Sequence, residues 1–264
     1  MAKLNFINKW VLITGASSGL GWAIALYMAK KENANLVAAA RRTERLEQLK
    51  KEIESSSDSK VIIITVDLSE PNGAEDLFKK ATEAADIYAV INNAGLTFYG
   101  KTEIAHLDKF EEIIQVNLKA LMVLSLMFFS WFEKKGEGAV LNITSEAGLI
   151  TTPYQTVYSA SKHAAQAFTE GLRLENHKSK VVISSFAPGG IATELLTKSG
   201  LDKKYDFDSP FNMNAEKAAQ LAVKAFKKKK FLSVPGFMNK LVLFLARFFP
   251  RKLVTTASEL VYRP

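Results

Sequence analysis

The chain contains no cysteine, so neither a disulfide framework nor a thiolate metal site is available to it. Histidine is nearly as scarce. His106, His163 and His177 are scattered without metal-ligand spacing and read as structural or surface residues. No long uninterrupted hydrophobic run is present. The longest, 118–132, is broken by Lys119, Ser125 and Ser130 and reads as a buried helix, too short for a comfortable membrane span. The N-terminal apolar stretch is only a strand long and shows no small-residue cleavage site of the kind that ends a signal peptide. Internal repeats and long disordered tracts are also missing. These absences fit a reducing compartment, and a cytoplasmic location is expected.

The bulk composition is that of a globular protein, with 48% hydrophobic residues among 264, enough for a full core. The net charge of +8 is carried by lysines spread along the chain, and no nucleic-acid motif interleaves them with aromatics. A generally basic surface is the better reading, nucleic acid is not an expected partner, and such a surface would attract a phosphorylated cofactor.

Apolar runs alternate with helical patterns. Strands are expected near 9–14, 34–40, 60–66, 87–91, 138–143, 180–187 and 230–234, and helices near 20–31, 43–55, 70–84, 106–133, 156–177 and 214–229. The run Val61-Ile62-Ile63-Ile64 is apolar on both sides, as a strand covered by helices on two faces must be. The alternation predicts an α/β fold of Rossmann type, a doubly wound parallel sheet of about seven strands. Ser69 is expected to cap the third helix, whose first turn tolerates Pro71, and Asn214 the helix that begins at Ala215. A single domain over 1–235 with an appended apolar helical segment over 236–264 accounts for the whole pattern.

Gly15, Ser17, Ser18, Gly19, Leu20 and Gly21 form a glycine-rich turn between the first strand and a helix. Such a turn lets the backbone approach a pyrophosphate, and the helix N-terminus offers free N–H groups and a positive dipole end. At the end of the second strand an NAD-selective site usually carries an acid for the ribose hydroxyls. Here Arg41 and Arg42 stand instead, and a guanidinium pairs with a 2′-phosphate that a carboxylate would repel. NADP(H) is therefore the expected cofactor, Arg41 first and Arg42 second, with Ser17 adding a hydrogen bond; solvated arginines at a helix start are the alternative. Asn93, Ala94 and Gly95 follow the fourth strand, where a small-residue turn lies under the cofactor or simply stabilises the sheet.

Tyr158 and Lys162 are four apart on an expected helix and so share one face. A free phenol titrates near ~10, and a neighbouring ammonium together with an oxidised nicotinamide is expected to lower that. Tyr158 then exchanges a proton with a carbonyl or alcohol oxygen.

In their order and separations, the glycine turn, Asn92-Asn93-Ala94-Gly95, Asn117, Ser145, Tyr158-Ser159-Ala160-Ser161-Lys162 and Pro188-Gly189-Gly190-Ile191-Ala192-Thr193 resemble the short-chain dehydrogenase/reductase family. The likeness is to its NADP(H)-preferring type with the Thr-Gly-x-x-x-Gly-x-Gly turn, and it covers roughly residues 8–235. The resemblance implies an NADP(H)-dependent oxidoreductase acting on a carbonyl or secondary alcohol. It assigns Ser145, Tyr158, Lys162 and Asn117 as a catalytic tetrad. Ser145 would bind the substrate oxygen, Lys162 the nicotinamide ribose, and Asn117 a water leading from Lys162 to solvent. Asp67 and Leu68 would border the adenine, with Asp67 equally suited to helix entry beside Ser69. Pro188, Gly189, Ile191 and Thr193 would line the nicotinamide, with Thr193 alternatively capping a short helix from Glu194. The resemblance also implies a homodimer or homotetramer.

The substrate walls are expected at Phe98 and Tyr99, at 149–154, and at Leu195 and Leu196 with the loop through Phe211. They are mostly apolar, so an uncharged, largely apolar small molecule is expected. Glu146 is expected to face solvent, with contact to a polar substituent the alternative. The tail from Phe237 is expected to form one short apolar helix stopped by Pro250. Apolar residues nearly all round it favour burial on the domain or at an interface over a membrane surface. The competing function is a nucleotide-binding scaffold or sensor that uses fold and tail to hold a partner or membrane. An intact tetrad speaks against it.

Overall fold

The computed structural model describes residues 3–199 and 211–264. Its strands are β1 (Trp10–Thr14), β2 (Asn35–Ala40), β3 (Val61–Thr65), β4 (Ile87–Asn92), β5 (Ala139–Ile143), β6 (Val182–Phe186), β7 (Gly190–Ala192), β8 (Asn212–Asn214) and β9 (Leu232–Ser233). Seven of them form one parallel sheet in the order β3-β2-β1-β4-β5-β6-β9, and β7 pairs with β8 beside it. The helices are α1 (Gly19–Glu32), α2 (Thr43–Glu54), α3 (Gly73–Ala84), α4 (Leu107–Ile114), α5 (Leu121–Lys135), α6 (Thr156–Glu175), α7 (Glu194–Ser199), α8 (Ala215–Lys227), α9 (Phe237–Ala246) and α10 (Arg251–Tyr262). This is the Rossmann-type doubly wound fold that the alternation predicts. The order in which strands are added reverses between β1 and β4, which opens a crevice at the carboxyl ends of the strands.

Period-two alternation along each strand feeds two cores. Val11 and Ile13 join Ile24, Met28 and Phe226 on the face covered by α1 and α8. Leu12, Val37 and Val90 face the other way and join Leu124, Phe128 and Phe132 of α5. The run Ile104–Lys135 is long and apolar enough to cross a membrane, yet α5 lays these side chains on the sheet. A buried polar ladder crosses the same layer. Asn92 donates to Asn142 (2.9 Å) and Ser125 (3.1 Å), and Asn142 donates to Thr169 of α6 (2.9 Å).

Several boundaries differ from expectation. Ser69 does not cap α3. Its hydroxyl and N–H both donate to Asp67, and the helix starts only at Gly73, after Pro71 has passed in a turn. Asn214 does cap α8, accepting from Lys217 N–H at 2.8 Å. The expected helix over 106–133 is interrupted by a π turn at Gln115–Ala120. The β7–β8 pair was not expected, because its three-residue strands are too short to show a period. The tail is two helices, with Pro250 opening α10 as its N-cap instead of ending the only one. Its outer surface is apolar, with Phe237 77%, Phe244 54% and Phe248 69% exposed.

Phe128 is fully buried between the sheet and Phe78 of α3, with ring centroids 4.9 Å apart. Truncating it to Ala leaves a cavity in close-packed surroundings. The expected loss is about 3–5 kcal/mol of unfolding free energy, read by urea denaturation. A loss below ~1 kcal/mol would show that α5 is not packed as described.

Candidate active site

A cavity of about 1160 Å³ runs along the carboxyl ends of the strands, from the Gly15 turn at one end to α10 at the other. At the first end, Gly15 takes the left-handed conformation (φ +67°) that its turn requires. Gly21 is needed for a different reason. A Cβ there would overlap the Gly15 carbonyl and the Asn93 amide, which closes the turn by donating to Thr14 O at 2.9 Å. Thr14 Oγ1 in turn accepts from the N–H groups of Asn93 (2.9 Å) and Ala94 (3.0 Å), fixing the turn after β4 against β1. Ser18, the N-cap of α1, makes no side-chain cap, so the first-turn N–H groups face the cavity uncapped. That cradle suits a pyrophosphate.

Beyond it the two arginines part. Arg42 donates to Ser18 Oγ (2.7 Å) and Ser17 Oγ (3.2 Å) and pairs with Glu194 (3.0 Å). Arg41 pairs instead with Glu112 (3.2 Å) and Asp67 (3.6 Å). Two hydroxyls and a guanidinium thus converge at Arg42, the donor set that a 2′-phosphate needs, with Glu194 in the place an anion would take. Asp67 is held below the usual carboxylate range: burial opposes this, but the two Ser69 hydrogen bonds and Arg41 outweigh it. Leu68, Asn93, Ala94 and Gly95 line the next stretch, and Pro188, Gly189, Ile191 and Thr193 the wall opposite. The set fits a dinucleotide carrying an additional phosphate.

At the centre lie Ser145, Tyr158 and Lys162. Ser145 lies two residues past β5, at the start of a 3-10 turn, where its hydroxyl is hydrogen-bonded to Tyr158 and accepts from Ala147 N–H at 3.1 Å. Lys162, fully in the interior of α6, donates to Ile143 O at 3.0 Å and lies 5.9 Å from the Tyr158 ring centroid. Burial lowers its pKa to about 8. Burial also pushes the Tyr158 phenol up, with Ser145 opposing and Tyr262 adding to the rise. Desolvation of the phenolate dominates this shift, whereas the expected lowering belongs to the complex with an oxidised nicotinamide, where a further cation stands beside the phenol. Asn117 sits in the π turn, a deviation common at functional sites, with its amide spent on Leu96 N–H (2.8 Å), Leu96 O (2.9 Å) and Ser161 Oγ (3.1 Å). It braces the wall beside Lys162 and does not open into the cavity.

The outer end is lined by Tyr99, Ile150, Thr152, Leu195, Leu196 and Phe211, as expected, and by α9 and α10, which were not expected there. Residues 200–210 of the expected wall lie outside the described residues. Phe98 turns away and stacks on His106 (4.7 Å) and Phe110 (5.4 Å). Tyr154 also leaves the cavity and bonds Glu259 of α10 at 3.2 Å, while Tyr99 donates to Tyr262 O at 2.8 Å. His163 turns its ring back on Ser159 O (2.9 Å). Glu146 does not face solvent. It lines the cavity, and burial raises its pKa to about 8 despite a hydrogen bond from Asn239. The one signal for Asn239 was a lone amide beside Lys240 in a largely apolar helical run; for Glu194 it was an acid beside Thr193.

The family described as short chain dehydrogenase matches residues 9–204. An uncharacterized oxidoreductase of Staphylococcus saprophyticus is 33% identical over 222 residues, 83% of this chain and 88% of that one. An NADP-dependent 3-hydroxy acid dehydrogenase of Schizosaccharomyces pombe is 35% identical over 199 residues, 74% and 75% of the two chains. Among solved structures, a short-chain dehydrogenase from Sphingobium yanoikuyae in complex with NADPH superposes with a TM-score of 0.79 at 27% identity, covering 97% of this chain and 96% of that one.

The raised pKa of Glu146 has a consequence for stability. Between the ordinary 4.5 and about 8, the folded protein keeps a proton that the unfolded chain releases. Stability from this group therefore falls as pH rises through that window and is level above it. Glu146→Gln removes the slope, so melting curves from pH 5 to pH 8 should show the variant gaining on the parent steadily. A constant difference between the two would mean that the carboxyl is ionised throughout.

Proposed function

The chain belongs to the short-chain dehydrogenase family of oxidoreductases, and we propose that it transfers a hydride between NADP(H) and the carbonyl or secondary alcohol of a small, largely apolar substrate. The observation that carries this reading is the meeting of Ser145, Tyr158 and Lys162 at the centre of a cavity whose far end is a pyrophosphate cradle.

Arg42, Ser17 and Ser18 would hold the 2′-phosphate, exchanging the Glu194 carboxylate for it, with Arg41 a secondary contact beside Asp67. The α1 N-terminus would take the pyrophosphate, Asp67 and Leu68 the adenine, and Ile191 with Thr193 the carboxamide. Bound NADPH supplies the hydride at the centre of the cavity. Ser145 and Tyr158 would both hydrogen-bond the substrate oxygen, steadying the charge that builds there. Tyr158 gives its proton to that oxygen, and Lys162 binds the ribose hydroxyls and keeps positive charge near the phenol. The exposed apolar side chains of Ile104, Leu107 and Ile114 support pairing of subunits through the α4 face, in a homodimer or homotetramer.

Two substitutions separate chemistry from binding. Tyr158→Phe should lower kcat by roughly 10²–10⁴-fold while NADPH still quenches protein fluorescence with near-parental affinity. Arg42→Ala should weaken NADPH by on the order of 10- to 100-fold and leave NADH nearly unchanged, the worth of a charge-assisted contact. Parental turnover in Tyr158→Phe would remove the assigned proton donor, and equal losses for both nucleotides in Arg42→Ala would remove the phosphate site.

A further inference from the structure

Glu146 and Asn239 reach the same part of the cavity from two elements, the segment after β5 and α9. Glu146 follows Ser145 in a short 3-10 turn, and Asn239 is the one buried residue of α9, 2% exposed in a helix otherwise open or half-open to solvent. They meet over Gly189, where a Cβ would stand 2.5 Å from Asn239 Nδ2 and 2.9 Å from Glu146 Oε2. The Asn239 amide N–H groups are used, donating to the Glu146 carboxyl and to Phe211 O at 3.2 Å. One oxygen on each side chain is left over. Glu146 Oε1 and Asn239 Oδ1 are buried and lack a hydrogen-bond partner among the described residues. A buried polar oxygen without a partner is costly, and two of them in one cavity wall need a reason. Apolar residues, Val242, Leu245 and Val261 among them, line the same cavity, so packing alone does not call for a carboxyl and an amide there.

We propose that Glu146 and Asn239 form a second substrate subsite, which receives a hydrogen-bond donor, a hydroxyl or an amino group, carried on the same skeleton as the reacting carbonyl. The subsite rests on the reading of the cavity as a carbonyl reductase site and narrows its substrate to an amphipathic one. Asn239 Oδ1 only accepts, whereas the protonated Glu146 carboxyl can also donate. A hydroxyl or amino group, which can give and take a hydrogen bond, therefore completes the pair, and a second carbonyl would leave Asn239 Oδ1 without a donor. The two sources differ in charge. A neutral hydroxyl bonds either form of Glu146, whereas an ammonium demands the carboxylate. Since burial holds that carboxyl protonated up to about pH 8, an ammonium ligand gains as pH rises and a hydroxyl ligand does not.

The probes are 2-alkanones of increasing chain length, each compared with its ω-hydroxy and ω-amino counterpart. Binding to the enzyme–NADP+ complex, where no reduction occurs, is measured by calorimetry, and turnover with NADPH is measured separately. At one chain length a donor-bearing ketone should bind at least tenfold more tightly than the plain one. Glu146→Leu should erase that preference, Asn239→Leu should reduce it, and Glu146→Gln should keep part of the hydroxyl preference. Affinity for the amino compound that climbs towards pH 8 assigns the ammonium, and a level hydroxyl response assigns the alcohol. Equal binding of paired probes at every length, no binding of either, or a preference that survives Glu146→Leu would overturn the subsite. Tight, donor-dependent binding without turnover would sink the reductase reading and leave the subsite standing.

Discussion

The geometry of the site depends on how α6 is fastened to the sheet. Asn142 of β5 donates to Thr169, and Thr144 just beyond β5 donates to Gln166 at 2.8 Å, so two buried hydrogen bonds set the height and rotation of the helix. Gln166 continues to Ser185 of β6 (3.1 Å), and Arg173 further along bonds Ile183 O (2.7 Å). Tyr158 and Lys162, on the same helix, are thereby held over Ser145. Apolar packing would leave α6 free to slide along a sheet whose surface is smooth. Polar partners do not allow that, because each orphaned group would cost about 1–3 kcal/mol. The ladder through Asn92 and Ser125 extends the brace to α5, whose π turn places Asn117 against Leu96 and Ser161. Catalytic placement is in this sense a property of the interior.

Burial then sets the charges. It disfavours the charged form of every group at the centre: it pushes Tyr158 up, Lys162 down to about 8 and Glu146 up to about 8. In the proposed reaction such a site would hold its protons near neutrality and give one to an oxygen that becomes more basic as it accepts a hydride. At the outer edge the opposite holds. Arg41, Arg42, Asp67, Glu112 and Glu194 are partly exposed and remain ion pairs, which an incoming phosphate can rearrange at small cost.

Much of this was legible in the sequence where one residue type answers to one physical demand. A continuous apolar β3 admits few alternatives, and strand–helix alternation points to a doubly wound parallel sheet. The glycines at 15, 19 and 21 with Tyr158 and Lys162 gain meaning as an ordered set, although a Tyr and a Lys four apart are by themselves usually a helix surface pair. Features that depend on tertiary neighbours were not legible. Glu146 looks solvated beside a polar serine, but Gly189 and α9 close over it. The choice between Arg41 and Arg42 turns on which carboxylates lie nearby, Glu112 and Asp67 for one and Glu194 for the other. Ser69 fits a cap by type, yet Asp67 captures it two residues earlier. Pro250 marks a boundary in the sequence without saying that a second helix follows, and α10 carries the residues that form the outer end of the cavity.

The most direct test of the account follows the hydride itself. NADPH carrying deuterium at one face of nicotinamide C4 would be incubated with the protein and a ketone that it reduces, and the alcohol analysed by mass spectrometry. The account predicts deuterium on the carbinol carbon from one of the two labelled faces only, because Tyr158, Ser145 and the Pro188–Thr193 wall admit one stacking of ring and substrate. Label from both faces alike, or label lost to solvent, would contradict it.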